Sequence, residues 1–137
     1  SHQWVKVNET ESQQSGQCMQ RNIDLGRPPF EGCGTYEIYT DTGFANYDST
    51  GAHCYYPSVD ALDAIYESYP NATFVMVVRN TSSWFKSVES WGDGSLLKRW
   101  SACNTTGFGW TMEREKIEQY YDWHTENIRQ FARDHPS

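Results

Sequence analysis

The sequence contains no long hydrophobic run and no excess of basic residues. It has no stretch of about 18 apolar residues, so it predicts no membrane-spanning helix. It does not begin with the basic segment and following apolar segment of a signal peptide either. We therefore expect any signal peptide or anchor to be removed or to lie outside this chain. A net charge of −7 speaks against a nucleic-acid-binding protein driven by phosphate neutralisation. A local basic pocket for a small anion remains compatible with that charge.

The composition is lean in apolar residues but rich in aromatic ones. Only 37% of the 137 residues are hydrophobic, yet the chain holds six Trp, nine Tyr and six Phe. A disordered chain has few aromatic residues, so these side chains predict one folded domain over 1–137 with a largely aromatic core.

The cysteines and histidines lack the spacing of a metal site. There are four cysteines, an even number without a close CxxC pair, and the four histidines are scattered. The cysteines are therefore disulfide candidates, with free buried thiols as the alternative, and three pairings remain open. The disulfide candidates are Cys18, Cys33, Cys54 and Cys103.

Asn-X-Ser/Thr motifs, the acceptors of N-linked glycans, are unusually frequent. They begin at Asn8, Asn71, Asn80 and Asn104. Together with the cysteines they predict a glycoprotein of the secretory pathway, in the Golgi lumen or outside the cell.

The chain divides into a loop-rich irregular part, 1–57, and a regular α/β part, 58–137. In the first part the only strand we predict is the alternating "TYEIYT" at 35–40. In the second part, apolar spacing predicts a helix over 58–69 with Ser58 as its cap. The unbroken apolar run "TFVMVV" at 73–78 predicts a strand buried on both faces, as in a parallel sheet covered by helices.

Three more helices are predicted after that strand. The first runs from Ser82 to Trp91 with Thr81 or Ser82 as its cap, and the second covers 95–103. The last opens at Thr111 and closes at Pro136, with His124 on its apolar face as a core residue. This order of elements predicts an open α/β layer fold. A parallel sheet needs more than one buried strand, so we expect the chain to be a portion of a longer protein.

Arg79 directly follows the buried run and precedes a helix. Ligands of open α/β sheets bind at the carboxyl ends of strands, and a helix start offers free N–H groups and the positive end of its dipole. Arg79 with the hydroxyls of Thr81, Ser82 and Ser83 could therefore hold a phosphate or sulfate. The alternative is that Arg79 pairs with an acidic neighbour and the hydroxyls are only helix caps.

The segment "SYPNATFVMVVRNTSSWFKSV" resembles the corresponding part of sulfotransferases that use 3′-phosphoadenosine 5′-phosphosulfate. The resemblance implies a three-layer P-loop-type parallel sheet with helices on both faces. It also implies that Arg79 and Ser87, eight positions apart, hold the 3′-phosphate of the cofactor. "RNIDLGRPPFEGCG", "YPNATF", "VRNT" and "HPS" are similar to segments of secreted or Golgi sulfotransferase-like proteins of microalgae.

The sequence departs from that family: we find no Gly-rich phosphate loop after a strand, and Asn-Thr-Ser stands at 80–82 where many members have Asp-Pro. We therefore expect the chain to supply only the 3′-phosphate half of the site. A base must take the proton of the acceptor hydroxyl, and its candidates are Asp41 and His53. The alternatives are a turn-forming aspartate and an ordinary loop histidine.

The resemblance implies transfer of a sulfuryl group to a carbohydrate or other hydroxyl acceptor, without a metal. A glycan on Asn80 would obstruct the cofactor, so the alternative is a catalytically inactive, glycosylated extracellular binding or structural module on the same fold. A relative of P-loop kinases is a third, weaker interpretation, because it also needs the missing loop and a magnesium-binding acid.

Overall fold

The structure is a computed structural model that describes residues 4–6, 12–103 and 113–136. It is a mixed α/β arrangement, which agrees with the predicted fold class at that level. Its strands are β1 (Trp4–Lys6), β2 (Ser12–Gln14), β3 (Phe44–Asp48) and β4 (Gly51–Tyr55). Its helices are α1 (Ser15–Asp24), α2 (Pro57–Asp60), α3 (Leu62–Ser68), α4 (Thr81–Ser90), α5 (Ser95–Ser101) and α6 (Arg114–Asp134), with a 3₁₀ turn at Trp91–Gly94.

The strands form two small sheets. β1 and β2 are antiparallel, with Trp4 opposite Gln14, and β3 pairs with β4 across a two-residue turn at Ser49 and Thr50. Within the ranges that the structure describes there is no larger sheet. The same ranges contain no helix that is long and apolar enough to cross a membrane.

The chain divides into two compact units. The first comprises Ser1–Phe44 and His53–Thr73, and the second comprises Ala45–Ala52 and Phe74–Ser137. In the first unit a buried cluster surrounds α1 and α3. Its members are Cys18, Met19, Cys33, Phe44, Tyr55, Ala61 and Ile65. Burial, with the nearby Asp60 and Asp24 carboxylates as smaller causes, raises the pKa of Tyr55 to about 12.

The expected disulfides are present. Cys18 and Cys33 are bonded, with their Cα atoms 5.8 Å apart. Cys54 and Cys103 are also disulfide-bonded, and none of the four cysteines is free. The alternative of free buried thiols is therefore wrong for this structure.

Helix α1 forms where the sequence predicted irregular chain. Its buried face combines Cys18 and Met19 with the small or polar residues Ser15, Gly16 and Asn22, so it shows no continuous apolar stripe. Asn22 is nearly fully buried, and its Nδ2 donates to the carbonyl oxygens of Pro29 at 3.0 Å and Glu31 at 2.7 Å. The disulfide at Cys18 adds a covalent tie to the same Gly- and Pro-rich loop. Specific bonds thus hold α1, and apolar periodicity does not reveal them.

The predicted helix over 58–69 is divided into α2 and α3 at Ala61, whose backbone is non-helical with φ −141°. The predicted cap is also wrong. Pro57, not Ser58, begins α2, and the N–H of Tyr56 donates to Asp60 Oδ2 at 2.9 Å. Burial raises the pKa of Asp60, and the Tyr56 N–H partly offsets that rise.

No strand forms at 35–40, so that prediction is wrong. Tyr39 stacks on Phe30 with ring centroids 4.0 Å apart, and Tyr36 meets Tyr39 edge to face at 5.6 Å. Ile38 is 69% exposed. The segment therefore places its tyrosines three residues apart on one aromatic cluster instead of alternating between two faces of a sheet.

In the second unit α4, α5 and α6 enclose a small core of Phe85, Val88, Leu97 and Ile117. These three helices confirm the predicted ones to within a few residues at their described ends, although Thr111 lies outside the described residues. Trp84 stacks on Tyr121 at 4.4 Å and on Trp100 at 5.9 Å. His124 is half-buried and stacks parallel to Tyr120 at 5.9 Å, which agrees with a core role.

The apolar run 73–78 forms no strand in the described residues, and its predicted burial is not found. Val75 is 84% exposed and Val77 is 82% exposed. Phe74 contacts Phe131 of α6 edge to face at 5.2 Å. A strand becomes buried only when neighbouring strands and helices cover it, and none of the described elements does so.

Candidate anion site

Arg79 lies between the apolar run and α4, and it is exposed. Its guanidinium makes no hydrogen bond or ion pair with any residue that the structure describes. The alternative that Arg79 pairs with an acidic neighbour is therefore not found. The side chain presents its charge to solvent, where an anion can reach it.

Tyr121 of α6 fixes the backbone of Arg79. The hydroxyl of Tyr121 accepts a hydrogen bond from the N–H of Arg79 at 2.8 Å and donates one to the carbonyl oxygen of Arg79 at 3.1 Å. Tyr121 is itself buried and stacked on Trp84. Both polar groups of the Arg79 backbone are thus tied to a rigid ring, while the side chain stays outside.

Asn80 is the N-cap of α4, which corrects the predicted cap at Thr81 or Ser82. Its Oδ1 accepts from the backbone N–H of Ser83 at 3.2 Å and from the Ser83 hydroxyl at 3.5 Å. Asparagine is among the best N-cap residues because its short side chain reaches this amide. The helix start therefore follows directly after Arg79.

Two of the three expected hydroxyls are directed towards α6, and the third, that of Ser83, donates to Asn80 Oδ1. Thr81 Oγ1 donates to Asp122 Oδ1 at 2.7 Å, and the Ser82 hydroxyl contacts Glu118 Oε1 at 3.5 Å. Arg114 reaches the same serine at 3.2 Å and pairs with Glu118 at 2.9 Å. These hydroxyls attach α4 to α6 and do not serve an anion.

Ser87 lies in a stripe of polar residues on the exposed face of α4. Ser83, Lys86, Ser87 and Ser90 follow at helical spacing and are all exposed. The Lys86 ammonium makes no ion pair within the described residues. Ser87 lies six residues beyond Thr81, about 9 Å along the helix axis. A ligand that contacts both Arg79 and Ser87 must therefore lie along the first two turns of α4.

The two candidate bases lie in the first unit. Asp41 is exposed in a loop and has a positive φ of 54°. Asparagine and aspartate tolerate that left-handed conformation better than most residues, so it fits a turn-forming role. His53 lies in β4 and is exposed. The role of either residue as a base stays a prediction.

The glycosylation motifs are partly described. Asn71 and Asn80 are both exposed, while Asn8 and Asn104 lie outside the described residues. No group of three or more metal-binding side chains occurs in the part of the chain that was searched.

Three residues of this arrangement were not predicted as site residues. The apolar spacing of α6 gives Tyr121 a core position but no sign that its hydroxyl binds the Arg79 backbone. Asn80 was read as a glycan acceptor, although an Asn-Thr-Ser run before an apolar spacing also predicts a cap. Lys86 could have been found from its spacing of three from Ser83.

The arrangement offers an anion one unpaired guanidinium, a helix start and a serine- and lysine-bearing helix face. Charge-assisted hydrogen bonds from such groups bind phosphate and sulfate oxygens. Searches of curated proteins and of solved structures gave no match to the chain. A family model described as "Sulfotransferase domain" matches residues 4–136. Because that match covers nearly the whole sequence, the chain belongs to the sulfotransferase domain family.

Proposed function

We propose that this chain carries the 3′-phosphate half of a binding site for 3′-phosphoadenosine 5′-phosphosulfate, in a protein that transfers a sulfuryl group to a carbohydrate or other hydroxyl acceptor. Family membership supports the reaction class. The observation that supports the site is the exposed Arg79 guanidinium, which has no acidic partner among the described residues and stands at the start of α4.

Arg79 and Ser87 are the proposed ligands of the 3′-phosphate, with Lys86 as an additional cation on the same helix face. When bound, the cofactor supplies the sulfuryl group that the acceptor oxygen attacks. The acceptor proton must pass to a base, for which Asp41 and His53 remain the candidates. The sequence holds no Gly-rich loop for the 5′-phosphosulfate, so we propose that the intact site needs a further segment.

We further propose that residues 73–78 form a strand of a parallel sheet completed by strands beyond the described residues. The support is the exposure of Val75 and Val77, since apolar side chains in a row are normally covered in the working protein. In such a sheet, Arg79 would lie at the carboxyl end of the strand, where ligands bind.

The test is calorimetric titration of the oxidised chain with adenosine 3′,5′-bisphosphate. Adenosine 5′-monophosphate, which lacks the 3′-phosphate, is the matched ligand. We expect the bisphosphate to bind at least tenfold more tightly, and Arg79→Ala to remove most of that preference because a charge-assisted contact contributes about 1.5–3 kcal/mol. Arg27→Ala, at an exposed arginine of the first unit, is the control.

Equal binding of the two nucleotides, or a preference unchanged in Arg79→Ala, would contradict the proposed site. The variant Ser87→Ala separates the contribution of Ser87 to phosphate binding from that of Arg79. We expect a smaller loss than for Arg79→Ala because the serine hydroxyl donates one hydrogen bond, whereas the guanidinium brings a positive charge and can donate two.

The location we propose is the secretory pathway or the extracellular space. Disulfides persist in oxidising compartments, and all four cysteines are bonded. The catalytically inactive glycosylated module remains the second candidate, because the exposed Asn80 acceptor is adjacent to Arg79. Peptide mapping by mass spectrometry before and after glycosidase treatment distinguishes an occupied Asn80 from an empty one.

A further inference from the structure

An open pocket of about 650 Å³ lies wholly within the first unit, whereas the candidate anion site belongs to the second. Its walls include the aromatic rings of Phe30, Tyr36, Tyr39 and Tyr69. The volume is in the range of ordinary small-molecule sites. Neither the family match nor the proposed cofactor site assigns a role to this pocket.

The aromatic wall is fixed by hydrogen bonds as well as by packing. The Tyr39 hydroxyl donates to the carbonyl oxygen of Gly34 at 2.9 Å, and the Tyr69 hydroxyl accepts from the N–H of Phe30 at 3.2 Å. Gly34 has a φ of 99°, and a Cβ there would collide with the Tyr36 ring. The glycine thus lets Tyr36 lie close against the backbone. The ring positions are set before any ligand arrives, which lowers the entropic cost of binding.

Polar groups with unused hydrogen-bonding capacity complete the lining. The side chains of Glu37, Ser68 and Asn71 line the pocket and are exposed, and none has a hydrogen-bond partner within the described residues. They offer a carboxylate, a hydroxyl and an amide, which can both donate and accept. No lysine or arginine is among the lining residues, so the pocket does not suit a phosphate or a sulfated group.

We propose that this pocket binds a neutral pyranose ring of a carbohydrate. A sugar ring has apolar C–H faces that pack on tyrosine and phenylalanine rings, and a rim of hydroxyls that bond to carboxylate, amide and hydroxyl groups. The lone carboxylate favours a hydroxyl-rich ligand without negative charge. This assignment does not depend on the anion site, and each can fail without the other.

The saccharide has two possible sources, because Asn71 both lines the pocket and begins an acceptor motif. One source is a free or partner-borne glycan, and the other is an N-glycan attached to Asn71 itself. Both present the same pyranose chemistry to the same wall. Thr73→Ala removes the acceptor motif and leaves Asn71 in place.

The test is an NMR titration of the unglycosylated, oxidised chain with N,N′-diacetylchitobiose and with lactose. We expect at least one to bind, with shifts at the tyrosine rings. Tyr36→Ala and Glu37→Ala should each weaken binding at least fivefold. Glu67→Ala, at an exposed glutamate of α3 that does not line the pocket, should bind normally. The proposal is overturned if neither sugar binds. It is also overturned if Tyr36→Ala and Glu37→Ala bind the sugar as tightly as the unmodified chain does.

The source is then read from glycosylated protein made in a eukaryotic host. If the sugar probe binds this protein as it binds the unglycosylated chain, the ligand comes from outside. If the probe binds only the Thr73→Ala protein from the same host, the Asn71 glycan fills the pocket. Either result supports a pyranose site once the unglycosylated chain has passed the first test.

Discussion

Removing the Tyr121 hydroxyl should release the backbone of Arg79 without disturbing the core. Phenylalanine keeps the stack on Trp84, whose centroid lies 4.4 Å from the Tyr121 ring. It loses two hydrogen bonds, from the Arg79 N–H at 2.8 Å and to the Arg79 carbonyl at 3.1 Å. Tyr121→Phe is therefore a narrow perturbation, confined to one hydroxyl.

The expected cost follows from these two bonds. Each buried or half-buried bond contributes about 0.5–1.5 kcal/mol net. Water can reach the exposed Arg79, so its backbone groups regain partners when the hydroxyl is lost. We therefore expect the lower end of the summed range, about 1–2 kcal/mol of unfolding free energy. For a chain of this size that is a fall in Tm of roughly 3–6 °C.

The assay is urea unfolding followed by tryptophan fluorescence, together with hydrogen exchange at the Arg79 amide. Tyr121→Phe should lower the urea midpoint, leave the m-value unchanged and accelerate exchange of the Arg79 N–H. Tyr39→Phe, which removes a single bond to Gly34 in the first unit, should leave that amide unaffected. If the Arg79 amide exchanges as slowly in Tyr121→Phe as in the unmodified chain, the Tyr121 hydroxyl does not hold the Arg79 backbone.

Three further predictions concern the cap, the apolar run and the half-buried histidine. Asn80→Asp keeps an oxygen for the Ser83 N–H but ends the acceptor motif, so the free energy of unfolding should stay within about 0.5 kcal/mol of the unmodified chain. Asn80→Ala removes the cap and should cost about 1 kcal/mol in urea unfolding. Equal losses of stability in the two variants would refute the cap. Val77→Thr should change stability by less than about 0.5 kcal/mol because Val77 is exposed, and a loss above about 1 kcal/mol would show that the residue is buried in solution. Burial lowers the pKa of His124 in the folded protein. As the pH falls, this histidine is therefore protonated in the unfolded chain before it is protonated in the folded one, and the stability should fall as pH drops below about 6.5. His124→Phe should make that decline shallower between pH 7.5 and 5.5, and identical slopes for His124→Phe and the unmodified chain would exclude His124 as the cause.

The helices of the second unit could be predicted because their apolar spacing is local information. Ile117, Tyr120 and Tyr121 recur at three- and four-residue steps, and all are buried on α6. Helix α1 could not be predicted this way, because its buried positions include Ser15, Gly16 and Asn22. The partners of Asn22 are the carbonyl oxygens of Pro29 and Glu31 in the following loop, and no apolar periodicity encodes these hydrogen bonds.

Strands were predicted less well because a strand depends on partners outside its own segment. The run 73–78 has the composition of a buried strand, yet among the described residues it has no neighbour to pair with. The β3–β4 pair was not predicted because residues 44–55 show no regular alternation of apolar and polar side chains. Ser49 and Thr50 connect the two short strands, and the apolar pattern alone gives no sign of that pairing.

Arg79 could be proposed from the sequence as a candidate site residue, but the way in which its backbone is held could not be predicted. The sequence places an arginine between an apolar run and a helix, and that order alone suggests an anion site. The structure adds that α6 holds the Arg79 backbone through Tyr121 and binds the first hydroxyls of α4 through Asp122 and Glu118. The anion-binding groups that remain are therefore fewer than the sequence suggests: Arg79, the helix start and the exposed stripe of α4.

The choice between an enzyme and an inactive module depends on whether Asn80 carries a glycan. Its Oδ1 caps α4, whereas an N-glycan is attached through Nδ2, so capping does not prevent glycosylation. Asn80 and Ser87 are seven residues apart, about two helical turns, and hence lie on the same side of α4. A glycan at Asn80 would project from the side of the helix that the 3′-phosphate needs. We therefore expect that a glycan on Asn80 and a phosphate bridging Arg79 and Ser87 would exclude each other sterically.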